Sequence, residues 1–304
     1  MEPLSLRLFG GVKLTRGSDG DIVLPRKTQM LLAYLASDVG KQVARDKLAT
    51  LIWADRPEDQ ARHSLRQCLF TLAKAIGDGE PSIIIADRHR VSLNPDLVEV
   101  DTWRFERLLS DDTPDAMQQA CALHGDDFLA GVGFEDETLD AWCGAERTRF
   151  RELCYESLAK LSSHHADTAR LDEAIEAGRR LVALDPLRED GHRALMRLFG
   201  RAGRRAEALK QYGHCREILR SELNVEPEAA TTMLYSDIRG RNDEVETASE
   251  DADPAPDPAP DTGEPEQMAQ PARLLWIRVT WGVGLFLVVL LVAALFWLGV
   301  GQSR

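Results

Sequence analysis

Between Ala61 and Gly77, four large apolar residues, Leu65, Leu69, Leu72 and Ile76, recur at i, i+4, i+7 and i+11. Only a helix brings that spacing onto one face. Ala61, Cys68 and Ala75 widen the face into a seam that has to be buried. Of the remaining positions, Arg62, His63, Arg66, Gln67, Phe70, Thr71 and Lys74 fall opposite and include no carboxylate. Along the chain the acids stop at Asp59 and resume at Asp78, so this outer surface stays basic over roughly four turns. A solvated face ordinarily interleaves Glu with Lys. This one reads either as bare surface or as a face presented to an anion.

The flanking segments narrow the choice. LSLRLFG (4–10) and DIVLP (21–25) alternate like strands, with Gly and Asp turn signals between them. MLLAYLA (30–36) and DKLATLIW (46–53) are apolar at helical spacing, with Asp46 a candidate N-cap for the second. After the Leu-seamed helix, SIIIADRHRVSLN (82–94) reads as a hairpin with a basic tip, Asp87-Arg88-His89-Arg90. Strands, three helices and a hairpin make an α+β winged helix-turn-helix over 1–98. In that plan the third helix enters the major groove and the wing touches backbone or minor groove. Arg62 and Arg66 suit guanine, Gln67 suits adenine, and Lys74 with the wing arginines Arg88 and Arg90 suits phosphates, with His89 beside them on the DNA-binding tip.

Residues 99–240 read as all-helical. Arg170-Leu-Asp-Glu-Ala-Ile175 and Arg204-Arg-Ala-Glu-Ala-Leu209 lie 34 residues apart, pairing Ala174 with Ala208. That is the period of a tetratricopeptide helix–turn–helix, whose small residues let helices approach closely. His164-His165 is expected in a loop between helices, with no Ser, Cys or metal partner at useful spacing. The five cysteines form no C-x-x-C pair and no cluster with His at metal spacing. No catalytic residue, metal or cofactor is therefore expected, and the chain reads as a non-enzyme.

At this point the residues carry a family resemblance. LRLFGGVKL, LATLIWADRPEDQARHSLRQCLFTLAKAIG and VDTWRFERLL resemble the response-regulator-type winged helix of the Streptomyces antibiotic regulatory proteins. GDDFLAGVGFEDETLDAW, AERTRFREL and DPLREDGHRALMRLFGRAGRRAEALKQYGHCREILRSELNVEP are similar to that family's bacterial transcriptional activator domain. The resemblance covers about residues 4–240 and implies a DNA-binding transcription regulator. It implies double-stranded DNA as one partner, and RNA polymerase and a second copy of the chain, as a homodimer, as others. Thr71 and Ala73 depart from the pattern, standing where relatives carry a second pair of arginines. The alternative is accordingly a membrane-anchored adaptor whose winged helix no longer binds DNA.

The net charge of −13 does not weigh against DNA once it is located. Residues 1–100 carry 14 Lys/Arg against 13 Asp/Glu, whereas 242–272 carry ten acids and no base. Residues 241–273 therefore read as a disordered, Pro-rich acidic linker. Val279–Val300 is 22 residues without a charge, about 33 Å as a helix, and 274–300 reads as a single transmembrane helix. Arg273 and Arg278 before it favour a cytoplasmic N-terminal side. With no signal peptide visible and four residues after the span, the expected location is the bacterial inner membrane, single-pass, without an external sensing domain.

Overall fold

The protein is described by a computed structural model covering residues 4–17, 20–77, 82–134 and 136–250. Leucines at alternate positions build the first strand, β1 (Leu4–Arg7), with Leu4 and Leu6 inward. It pairs antiparallel with β2 (Lys13–Arg16), which pairs with β3 (Asp21–Ile22). The fourth strand, β7 (Val98–Val100), joins β1 in parallel and gives the order β3-β2-β1-β7.

Between β3 and β7 lie the three expected helices: α1 (Arg26–Leu35), α2 (Arg45–Ile52) and α3 (Glu58–Ile76). A two-residue strand, β4 (Val43–Ala44), precedes α2 and pairs with β6 (Arg90–Leu93), which pairs with β5 (Ile84–Ala86). Asp46 does not cap α2. The N-cap is Ala44, without a side-chain cap, and Asp46 sits in the first turn, where its charge suits the helix dipole.

From Asp101 the described chain is helical: α4 (Asp101–Ser110), α5 (Pro114–Leu123), α6 (Glu137–Asp167), α7 (Leu171–Leu184), α8 (Glu189–Arg201), α9 (Arg205–Glu222) and α10 (Ala229–Glu250). His164 and His165 occupy the last turn of the long α6, not a loop. Helix-favouring Glu and Ala with no proline before Pro254 carry α10 through 241–250, ten residues expected to be linker. The repeat is visible in the packing: Ala174 and Ala208 are both fully buried, one in α7 and one in α9.

One buried cluster runs from Leu4 on β1 to Leu181 on α7, crossing the 98/99 line. The contact is made by specific bonds. The Gly10 N–H donates to the Asp127 carbonyl at 3.0 Å, and the Leu129 N–H to the Leu8 carbonyl at 2.8 Å. Gly10 is required there: its φ is +83°, and a Cβ would stand 3.1 Å from the Asp126 carboxylate. Asp101 accepts backbone N–H groups from Leu8, Phe9 and Thr102. The Trp103 indole donates to the Ala36 carbonyl at 2.7 Å, and Tyr34 packs on Trp142 with centroids 5.1 Å apart.

The inner-membrane location is corrected. Among the described residues no helix is long and apolar enough to cross a membrane. The stretch 274–300 and the linker beyond residue 250 lie outside the described residues. Length and hydropathy are conditions a span must meet, and no described helix meets them.

Candidate nucleic-acid interface

The seam of α3 is buried as its periodicity requires: Ala61, Leu65, Cys68, Leu69, Leu72 and Ile76. Its packing against α1 and α2 leaves the opposite face outward. Arg62, His63, Arg66, Gln67, Phe70, Thr71 and Lys74 are all exposed. Glu58 and Asp59 in the first turn and Lys74 in the last suit the helix dipole. At the C-terminal end, the Arg16 guanidinium of β2 donates to the Ile76 carbonyl.

The seven side chains are not equally available. The Arg62 Nε donates to Asp46 at 2.9 Å and its Nη2 to Glu58 at 2.5 Å. The hydrogen bond and charge of Asp46, and then the charge of Glu58, raise its pKa above the ordinary arginine value. The surface that is acid-free from Ala61 to Gly77 thus receives one carboxylate from α2 and one from the first turn of α3 itself. The Gln67 amide is 3.0 Å from the His63 ring nitrogen, and the Thr71 hydroxyl donates to the Gln67 carbonyl at 2.9 Å. Arg66 and Lys74 have no acidic partner among the described residues.

The wing is built around a tight turn between β5 and β6. The Asp87 carboxylate accepts the N–H groups of His89 at 2.6 Å and Arg90 at 2.7 Å, which lowers its pKa. Arg45, at the start of α2, fastens this turn: its N–H donates to the His89 carbonyl and its Nε to the Asp87 carbonyl, each at 2.8 Å. Arg90 turns aside, 3.4 Å from the Gln42 side chain.

These contacts bring the wing tip beside α3. Arg45, Asp46, Arg62, Arg66, Arg88 and His89 line one cleft of about 480 Å³, floored by Leu65. Arg62, Arg66, Arg88 and His89 are therefore gathered at one place, whereas His63, Gln67, Phe70, Thr71, Lys74 and Arg90 do not line it. Arg45 is the residue the sequence reading missed. Its only local signal was a basic residue at the start of a helix, and its place beside the wing comes from the β4–β6 pairing. Five cationic or imidazole side chains around one carboxylate, Asp46, can donate to phosphate oxygens and present guanidinium edges to bases. A second, larger groove of about 600 Å³ lies among α7, α8 and α9, floored by Val182, Leu195, Phe199 and Ile218.

Residues 100–239 match the family model described as "Bacterial transcriptional activator domain". The chain is 26% identical over 253 residues to Transcriptional regulator RedD of Streptomyces coelicolor, covering 77% of this chain and 70% of that protein. It is also 26% identical over 250 residues to Regulatory protein AfsR of the same organism, covering 77% of this chain and 24% of AfsR. It thus spans about a quarter of AfsR's length. In structure it resembles Mycobacterium tuberculosis EmbR, solved in complex with a low affinity phosphopeptide, at 17% identity and a TM-score of 0.61. That match covers 82% of this chain and 70% of EmbR, and at this identity it bears on the fold. RedD and AfsR are both described as regulators.

Proposed function

We propose that this chain is a bacterial transcriptional regulator that binds promoter DNA through its winged helix, residues 1–98. Helix α3 enters the major groove, with Arg66 and Gln67 toward base edges and Lys74 toward phosphate. Arg88 and His89 on the wing, with Arg45 behind them, reach the neighbouring backbone, and Arg90 joins them by leaving its long contact with Gln42. Residues 99–240 form the tetratricopeptide-like domain, which contacts a second copy of the chain or RNA polymerase. The observation that carries this reading is the single cleft in which Arg66 and the wing tip meet, with Arg66 unpaired among the described residues. The kinship with RedD and AfsR supports the regulatory role.

A protein-interaction adaptor is the second reading, favoured by the apolar groove among α7, α8 and α9 and by the engagement of Arg62 with acids. The full chain, titrated with a pool of random duplexes at low and moderate salt, separates the two. The regulator recovers a common sequence, with affinity that falls steeply as salt rises and drops about tenfold or more in Arg66→Ala. An absence of duplex binding at low salt leaves the adaptor.

A further inference from the structure

Phe70 is 71% exposed, on the polar face of a helix whose other large apolar side chains are all buried. Single exposed apolar residues are common on protein surfaces and call for no explanation by themselves. The position of this one does. It stands one helical turn after Arg66 and one before Lys74, in the same i, i+4 column as Arg62. It takes part in no aromatic pair or cation–π contact among the described residues. Its neighbours on the face either carry charge or hydrogen-bond each other, as His63 with Gln67 and Thr71 with Gln67 do. The face therefore has one apolar element, set among groups suited to base edges and phosphates.

The floor of the major groove offers few apolar features to such a side chain. Guanine and adenine present acceptors and donors there, and cytosine presents an amine. Thymine presents its C5-methyl group, a known apolar contact for phenylalanine. We propose that Phe70 is a specificity-determining residue that packs on a thymine methyl, next to the base pairs reached by Arg66 and Gln67. This rests on the DNA-binding reading above and adds to it one required base. The neighbouring arginine fixes the register along the groove, and Phe70 then selects thymine without a hydrogen bond.

Removing the methyl while keeping every donor and acceptor tests this directly. The recovered operator is remade with each thymine replaced singly by deoxyuridine, and the full chain is titrated with each duplex. At one thymine position of the operator, the wild-type chain is expected to lose about three- to tenfold in affinity. Phe70→Ala should lose a similar factor on the thymine duplex and nothing further on the deoxyuridine duplex. Phe70→Leu should retain part of the preference. Because Phe70 is exposed, these variants should fold, and the wild-type titration needs no variant at all. Insensitivity of the wild type to every thymine methyl, or an undiminished deoxyuridine penalty in Phe70→Ala, would overturn the assignment while leaving DNA binding intact. A Phe70→Ala chain that loses only self-association would place the ring at a copy-to-copy contact and overturn it too. Failure of the wild type to bind any duplex would remove the DNA reading itself.

Discussion

Asp46 and Arg62, sixteen residues apart on different helices, are joined at 2.9 Å across the mouth of the cleft that holds the wing tip. Both side chains are substantially exposed, so the pair adds little to stability. Its effect is on where positive charge is available. With Arg62 neutralised from one side by Asp46 and from the other by Glu58, Arg66 is the stronger phosphate or guanine ligand. Asp46→Asn should therefore tighten duplex binding by about two- to fivefold at low salt, with the gain shrinking as salt screens it. Arg62→Ala should cost less than Arg66→Ala. Fluorescence anisotropy at two salt concentrations measures both, and weaker binding in Asp46→Asn would contradict this account of the cleft.

Arg45 separates the charge of the cleft from its geometry. Its backbone N–H to His89 survives any side-chain change, but the Nε bond to the Asp87 carbonyl does not. Arg45→Ala should weaken duplex binding about three- to tenfold by loosening the wing turn and removing one cation. Arg45→Lys keeps the charge as a compact ammonium without the planar fork. If the fork positions the wing, Arg45→Lys should recover the salt slope but only part of the affinity. Full recovery by lysine would mean that charge alone matters.

Much of this was legible in the sequence because it is local and periodic. The leucine seam at 65, 69, 72 and 76 is buried as its spacing required, and the hairpin at 82–94 and the 34-residue offset both appear. What was hidden depends on segments distant in sequence. Asp46 reads as an N-cap one residue at a time, and only the packing of α2 on α3 turns it toward Arg62. Two-residue β4 has no pattern of its own, yet its pairing with β6 delivers Arg45 to the wing. His164-His165 is expected from the sequence in a loop between helices. Burial of His165 and Ala166 nonetheless carries α6 through them. The span expected from the length and hydropathy of 274–300 lies outside the described residues, among which no helix is long and apolar enough to cross a membrane.

His192 is fully buried on α8, its Nε2 2.9 Å from the Pro186 carbonyl and its Nδ1 2.7 Å from the Gln211 amide. The geometry fits a neutral ring that donates from Nε2 and accepts at Nδ1. Burial, aided by nearby His214, holds its pKa below the ordinary histidine value, and burial does the same at His124 and His165. The unfolded chain therefore takes up protons first as pH falls through about 6.5. Stability from these rings is complete above that pH and is lost progressively below it. Urea midpoints should drop between about pH 7 and pH 5. His192→Gln, which keeps a donor for Pro186 without a titrating ring, should flatten part of the slope. An unchanged slope would assign the pH dependence to other groups.

Ala169 and Gly203 occupy the same turn one repeat apart, and only one of them is glycine. Ala169 has φ +60° and Gly203 φ +71°. In each turn the next residue's N–H reaches back to close the preceding helix: Arg170 to the His165 carbonyl and Arg204 to the Phe199 carbonyl, both at 2.8 Å. This is the helix-ending motif that favours glycine at its left-handed position. Alanine there bears a backbone penalty of roughly 1 kcal/mol, partly offset by its stiffer unfolded chain. Ala169→Gly should therefore stabilise the protein by about 0.5 kcal/mol. Gly203→Ala, whose new Cβ would meet nothing within 4 Å, should destabilise it by about the same 0.5 kcal/mol, the backbone penalty less the unfolded-chain offset. Denaturant unfolding of the two variants beside the wild type checks both signs. Shifts in the same direction would show that the two turns, despite matching hydrogen bonds, are not under the same constraint.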